Sequence, residues 1–512
     1  MIRTLLTLPS PISLSASTRS LPQNDWLTAL TGTAVIRYGM VAVGTQLFAF
    51  ATCLFAANAG AQNELESSNQ TSSLKTSVEN AVSINNGVTL EQVIADAIAN
   101  DNQYRAAQAE LRAGKMNTRL SRAGLLPQID ASGSWTKADT ENNIPNEGGV
   151  DNPNLQDGET TTLSYSANIS QPLFNLAAYR GYELGKKTSD LAQATFLDAQ
   201  QDILLRAAEA YFAVLEARDN LETALAEKKA LAQQLEQTKQ RFQVGLIAIT
   251  GVHESQAAFD AATATALIAE GNVGVAKASL EVLTGQFYNK LASLAESFPV
   301  RAPEPANVND WRERALEGNI NIVQASLRRE QADLIAQQEK ATLLPSVTGT
   351  AGYTDTENEF ENSSFTFKQD EFRYGVRVDV PLFAGGRRYA RSKQAAFEAE
   401  AARENYLLTR AQVQQNVTAT HLNVSTGAAS IRARQQAIVS AQSAYEATQA
   451  GYEVGTRDLV DVLNAQQQVF RAQRDYYDTL YSYILNSLQL QRLVGDLTRE
   501  DLKALNNFLV SQ

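Results

Sequence analysis

Two periods of hydrophobicity run along this chain, and each keeps to its own stretches. Four stretches alternate apolar and polar residues one by one, the mark of a strand with two unlike faces. The first sets Ile129, Ala131, Gly133 and Trp135 on one face, and the third sets Val347, Gly349, Ala351 and Tyr353 there in the same order. The second sets Leu163, Tyr165, Ala167 and Ile169 against Thr162, Ser164, Ser166 and Asn168. The fourth sets Phe372, Tyr374, Val376, Val378 and Val380 against Arg373, Gly375, Arg377 and Asp379. Elsewhere the period is helical. Leu197, Leu204 and Tyr211 fall at heptad spacing, as do Leu235 and Phe242. The pattern predicts helices over 90–123, 176–242 and 250–283, and again over 308–342, 385–451 and 457–493. Proline agrees: there is none between Pro172 and Pro299 and none after Pro381, as helix interiors require. At 1.5 Å per residue each long helix would run roughly 100 Å. Two shorter helices end to end would match it.

The order strand, strand, long helix, short helix is written twice. Leu125-Leu126-Pro127 recurs at Leu343-Leu344-Pro345, and Pro172-Leu173-Phe174 at Pro381-Leu382-Phe383. Val244-Gly245-Leu246 recurs as Val454-Gly455-Thr456, and the Leu-x-Gly ending at Gly285 recurs at Gly495. The expected division is a signal segment (1–61), a polar segment (62–87), repeat one (88–286), a connector (287–304), repeat two (305–497) and a tail (498–512). Mixed α and β architecture follows, with long antiparallel coiled-coil helices and four strands. The helices are rich in Ala, Gln and charge with a narrow apolar stripe, so they can face water on two sides. A coiled coil with a solvated outer face would read the same way.

One apolar and one hydrophilic strand face is the pattern of a transmembrane barrel with a wet interior, although any single strand would equally suit a soluble sheet. Both hairpin loops, 136–160 and 354–370, are long and acidic, and both contain Asp-Thr-Glu-Asn, which suits the exterior side of an outer membrane. Four strands cannot close in lipid, where an open edge leaves backbone groups unpaired. Several copies must share one barrel, a dimer with eight strands or a trimer with twelve.

Charge and cysteine content narrow the function. The formal charge is −12, which repels phosphate backbones and argues against nucleic acid as a partner. The single cysteine, Cys53, lies in an apolar run after Arg3, Arg19 and Arg37, and Ala59-Gly60-Ala61 has the small-x-small form of a cleavage site. Residues 1–61 read as a secretory signal; an uncleaved anchor and a lipid-anchored Cys53 are the alternatives. Beyond that run no stretch is apolar enough to cross a bilayer as a helix, so membrane insertion falls to the strands. The two histidines, His253 and His421, have no metal-spaced partners. Gly181 to Thr188 has the look of a phosphate loop, but its glycines are one residue too close. No catalytic set, metal set or cofactor site is expected.

At the helix turns the chain resembles the TolC-type outer-membrane channels. Arg241-Phe242-Gln243-Val244-Gly245-Leu246-Ile247-Ala248-Ile249-Thr250 is similar to that family's first periplasmic hairpin tip. Gly451-Tyr452-Glu453-Val454-Gly455-Thr456-Arg457, with Val460-Asp461-Val462-Leu463 after it, is similar to the second, and Asp501 to Asn507 resembles its tail. The resemblance covers about 88–512. It implies a homotrimer whose twelve shared strands form an outer-membrane pore and whose helices form an α-barrel across the periplasm. It also implies a periplasmic adaptor protein, an inner-membrane pump (ABC-type or proton-driven), contact with outer-membrane lipid, and passive export of proteins, drugs and amphiphiles.

The same resemblance assigns roles to residues. Of the family's two aspartate rings, one matches Asp461 as a cation-binding lumen residue, and the other falls on Asn464; Asp458 is either a replacement or a partner for the helix dipole. The closing latch joins Tyr452 and Arg457 to Gln234 and Thr250. Its carboxylate falls on Gly251; either Glu254, one turn along, stands in, or the latch is weaker and the resting pore leakier. Val244, Gly245, Leu246, Val454, Gly455 and Thr456 are the adaptor-docking tips. Gly245 and Gly455 would permit the tight turns, and Thr250 and Thr456 would cap the returning helices. A poreless periplasmic coiled-coil tether is the competing reading.

Overall fold

The computed structural model describes residues 87–140, 158–295, 298–360 and 366–510, all within the unit Ser83–Gln512. The signal segment with Cys53 and the centres of both hairpin loops lie outside the described residues. In chain order the elements are α1 (Leu90–Asn100), α2 (Asn102–Ala123), β1 (Gln128–Thr140), β2 (Gly158–Phe174), α3 (Leu176–Gln243), α4 (Ile249–Thr284) and β3 (Ser293–Leu294). There follow α5 (Val308–Gly318), α6 (Ile320–Ala341), β4 (Ser346–Phe360), β5 (Thr366–Asp379), α7 (Arg387–Glu453), α8 (Leu459–Val494), α9 (Arg499–Asn506) and β6 (Leu509–Val510). The long helices have 68 and 67 residues, about 100 Å each.

Neighbour relations make these elements one wall. The main sheet runs β1-β2-β4-β5, antiparallel throughout. Below it the helices that continue those strands pack in the same order, α2 on α3, α3 on α6 and α6 on α7. Towards the far end the order is α4, α3, α8, α7. Each long helix therefore changes its companions halfway along. Among the described residues the crossover region holds the one large core, where Tyr211, Phe212 and Leu215 of α3 meet Leu90 and Ile94 of α1, Val417 of α7, and Tyr481 and Ile484 of α8. Tyr211 satisfies its buried hydroxyl by donating to the Ala292 carbonyl at 2.7 Å, as a buried phenol must.

Where the sequence pattern predicts single helices over 90–123 and 308–342, the structure breaks each one. Asp101 stands between α1 and α2; its side chain caps α2 by accepting from the Tyr104 N–H at 2.9 Å and also receives Arg206 of α3 at 2.8 Å. Asn319 does the equivalent between α5 and α6, accepting from the Ile322 N–H and donating to the Leu493 carbonyl at 2.8 Å. Both are short polar side chains that favour an N-cap over a helix interior. An apolar periodicity that continues through them hides the break. Gly318, just before Asn319, lies so close to α8 that a Cβ there would stand 2.3 Å from the Val494 carbonyl oxygen.

Candidate channel wall and gate

The strand register settles which residues share a face. Residues directly opposite in an antiparallel pair point to the same side, so Ile129, Ile169, Ala351 and Tyr374 form one row, and Ala131, Ala167, Tyr353 and Phe372 the next. The four apolar faces predicted strand by strand thus lie on one side of one sheet. That side is open: Trp135, Tyr165, Phe372, Tyr374, Val376 and Val378 are each more than half exposed. The other side is a ladder of hydroxyls and amides, with Ser132 bonded to Ser166 at 2.8 Å and Thr162 donating to Asn358 at 2.7 Å.

The apolar band is slanted. On β1 and β2 it reaches the row of Trp135 and Leu163; on β4 and β5 it stops at Tyr353 and Phe372, four residues lower, and the row of Trp135 ends in Glu357 and Lys368. Four residues are about 13 Å along the strands for about 10 Å across them, near the 45° tilt of membrane-barrel strands. A flat hydrophobic layer cuts tilted strands in this way. With 13 to 17 residues each, all four strands exceed the roughly 9–11 a tilted crossing needs. Their outer members, β1 and β5, each keep one edge without a partner among the described residues.

At the opposite end of the helices the two tips are built alike. Gly245 and Gly455 have φ of +78° and +80° with open space around them, so it is the left-handed backbone that calls for glycine. In each tip the residue after the glycine donates back five positions, Leu246 N–H to the Arg241 carbonyl and Thr456 N–H to the Gly451 carbonyl, closing a Schellman turn. Val244, Leu246 and Val454 are each at least 70% exposed. Apolar side chains are held out at the end of a rigid hairpin.

The caps differ from expectation. Thr250 and Thr456 cap neither helix: α4 starts after Ala248 without a side-chain cap, and the Thr456 hydroxyl donates back to the Gly451 carbonyl. Asp458 is the cap of α8, accepting from the Asp461 N–H at 2.8 Å. Each turn leaves its helix two residues away from where the threonine would serve. Asp461 itself is half-buried and faces Arg457 at 3.5 Å, one turn back.

Within the chain no hydrogen bond joins Tyr452 or Arg457 to Gln234, Thr250 or Glu254 among the described residues. Instead the Arg241 guanidinium lies over the Tyr452 ring, 5.0 Å from its centroid. At Gly251, where the expected carboxylate is missing, a Cβ would stand 3.2 Å from the side chain of Leu459, the first residue of α8. Beneath the tips, Ser255 of α4 bonds Thr238 of α3 at 3.2 Å, both fully buried. The contacts of Arg241 with Tyr452 and of Gly251 with Leu459 were not legible in spacing, because each joins segments roughly 200 residues apart.

Higher on the wall, buried charges stitch the two repeats together. Arg474 of α8 donates to Glu227 of α3 at 2.7 Å, the Glu227 side chain being only 7% exposed. Tyr481 donates to Asp219 at 2.5 Å. Burial pushes the Asp219 carboxyl above the usual carboxylate range despite Tyr481 and Arg218, and burial beside Asp478 does the same to Glu216. Burial also acts to raise Asp101, but the bonds from Arg206 and the Tyr104 N–H reverse it and leave that carboxyl low. Among the described residues no group of histidine, cysteine or carboxylate side chains is placed to hold a metal, and no helix is long and apolar enough to cross a membrane.

A slanted apolar sheet face, a hydroxyl-lined reverse, two open edges and 100 Å helices below define one segment of an outer-membrane channel wall with a long periplasmic extension. The chain belongs to the outer membrane efflux protein family, whose model matches residues 93–286 and 311–496. It is 34% identical to the outer membrane protein TolC of Vibrio cholerae, over 81% of this chain and 93% of that one. It is 29% identical to the alkaline protease secretion protein AprF of Pseudomonas aeruginosa, over 80% of this chain and 84% of that one. The fold is also that of the CmeC outer membrane channel of Campylobacter jejuni, with a TM-score of 0.68 at 17% identity, covering 82% of this chain and 89% of that one. The protein is an efflux or secretion channel of the outer membrane, and nothing supports the tether.

Proposed function

We propose that three copies complete one pore and one tunnel, and that the finished duct passes solutes outward without consuming fuel or performing chemistry. The observation that carries this reading is the pair of open sheet edges on β1 and β5 beside an apolar face. An unpaired edge in lipid costs several kcal/mol per backbone group, and four strands fall short of the eight with which such barrels begin. Three copies supply twelve.

A periplasmic adaptor protein and an inner-membrane pump would deliver cargo to the tips. Val244, Gly245, Leu246, Val454, Gly455 and Thr456 would seat the adaptor, since they present exposed apolar surface on rigid turns. Asp461 would line the closed end as a cation-binding ring, with Asp458 as the cap that fixes its helix. Tyr452 and Arg457 would latch the tips shut, helped by Gln234, Thr250 and Glu254 where copies meet. Photo-crosslinkers at Leu246 and Val454, used in living cells, should capture an adaptor with a helical hairpin. Capture of lipoprotein or peptidoglycan alone would refute the docking assignment.

A further inference from the structure

The chain is acidic overall, at −12, yet one place on the hydrophilic side of the wall gathers three arginines against two carboxylates. Arg387, Arg388 and Arg391, in the first turns of α7, line an open cavity of about 580 Å³ where the sheet meets the helices; Ser346, Asp379 and Glu339 line it too. Ser346 and Asp379 are paired across β4 and β5, and both belong to the hydroxyl and charge face. The cavity therefore opens on the hydrophilic side of the wall. Arg388 donates to the Thr342 carbonyl. The side chains of Arg387 and Arg391 make no ion pair or hydrogen bond among the described residues, and neither does that of Arg377, two residues before Asp379 on the same face.

This arrangement works against the helix that carries it. Cations at a helix start oppose the peptide dipole, and Arg387 and Arg391, one turn apart, repel each other. The equivalent junction of the first repeat avoids both costs. There Asn175 caps α3 by accepting from the Ala178 N–H at 3.0 Å, and Arg180 is paired with Glu183 at 2.5 Å. The two junctions share a fold and differ in chemistry.

We propose that Arg387 and Arg391, with Arg377 above them, form a collar in the channel lumen that holds the oxyanion group, carboxylate or phosphate, of solutes in transit. Guanidinium matches such groups with paired N–H donors. At exposed sites each contact is weak, so the collar detains anions and concentrates them at the neck without trapping them. The inference rests on the channel reading, which places the hydrophilic face inside.

Planar-bilayer recording of the full-length oligomer in KCl, with inorganic tripolyphosphate as the probe, tests it. The wild type should lose current as the anion is added, and Arg387→Gln/Arg391→Gln should weaken that block by about threefold or more, the scale of two exposed ion contacts. Equal block in the double variant overturns the collar, as does a conducting wild type indifferent to tripolyphosphate. Should the wild type be shut, the same recording is made in the Tyr452→Ala background, and an oligomer that conducts nothing in either form would speak against the channel reading itself. Should the double variant fail to assemble, Arg387→Lys/Arg391→Lys decides: assembly with block retained supports the collar, and failure makes the arginines packing groups of the wall and overturns it.

Discussion

Arg241, at the end of α3, covers the ring of Tyr452, at the end of α7, with 5.0 Å between guanidinium carbon and ring centroid. The contact joins the first hairpin to the second at the tip end of the long helices. An exposed cation–π pair is worth about 0.5–1 kcal/mol. Arg241→Ala or Tyr452→Ala should therefore favour the open tip by roughly two- to fivefold per copy, raising resting conductance in planar bilayers. Conductance equal to wild type in both variants would show that the pair does not restrain the gate.

Glu227 and Arg474 should matter more to stability than any surface pair. Truncating one partner of a buried ion pair leaves the other charge uncompensated, at a cost of about 3–5 kcal/mol. Arg474 keeps 26% side-chain exposure, which places Glu227→Ala near the lower end. Thermal unfolding of the detergent-solubilised protein should show a clear fall in Tm, and Glu227→Gln a smaller one. Unchanged midpoints would mean that water reaches the pair.

Stability should decline as the pH rises from about 4 towards neutrality. Glu216 and Asp219 have folded carboxyls raised by burial. Each raised group contributes stability below its unfolded value and loses it as the pH climbs through its folded one. Asp101, whose carboxyl is lowered, has the opposite sign and loses its contribution as the pH falls. Above about pH 4 the Asp101 contribution is constant, so the two raised carboxyls give a net downward slope. Tm at pH 5 should exceed Tm at pH 7 at fixed ionic strength, and Glu216→Gln should narrow the gap. A Tm that rises between those values, equally in both proteins, would contradict this.

Asp458→Ala removes the only side-chain cap of α8 and should cost about 1 kcal/mol, whereas Asp458→Asn should cost little. Hydrogen exchange at Val460, Asp461 and Val462 should quicken in the alanine variant alone. Thr250→Ala should leave exchange at the start of α4 unchanged, since Thr250 caps nothing.

The fold was largely legible because both periods, the proline gaps and the repeated turns speak locally. Pro172 and Pro381, or Gly245 and Gly455, sit where local backbone chemistry demands them, and the register then brought four separately read apolar faces onto one side. What escaped depends on tertiary neighbours. Asp101 and Asn319 break helices whose apolar stripe runs on past them. Asp458 displaces Thr456 as the cap because the Schellman turn uses up Thr456. Leu459 fills the space beside Gly251, and Arg241 meets Tyr452, through approaches between repeats that no spacing within either one reveals.

The most direct test takes the unheated, detergent-extracted particle and measures its mass together with amide exchange along β1 and β5. With a chain of 55.7 kDa, the account predicts a particle of three copies that falls to one on heating. Both outer strands should be protected on every amide before heating and lose protection on alternate amides afterwards. A particle of one copy, with alternate amides of β1 and β5 exchanging freely from the start, would contradict it.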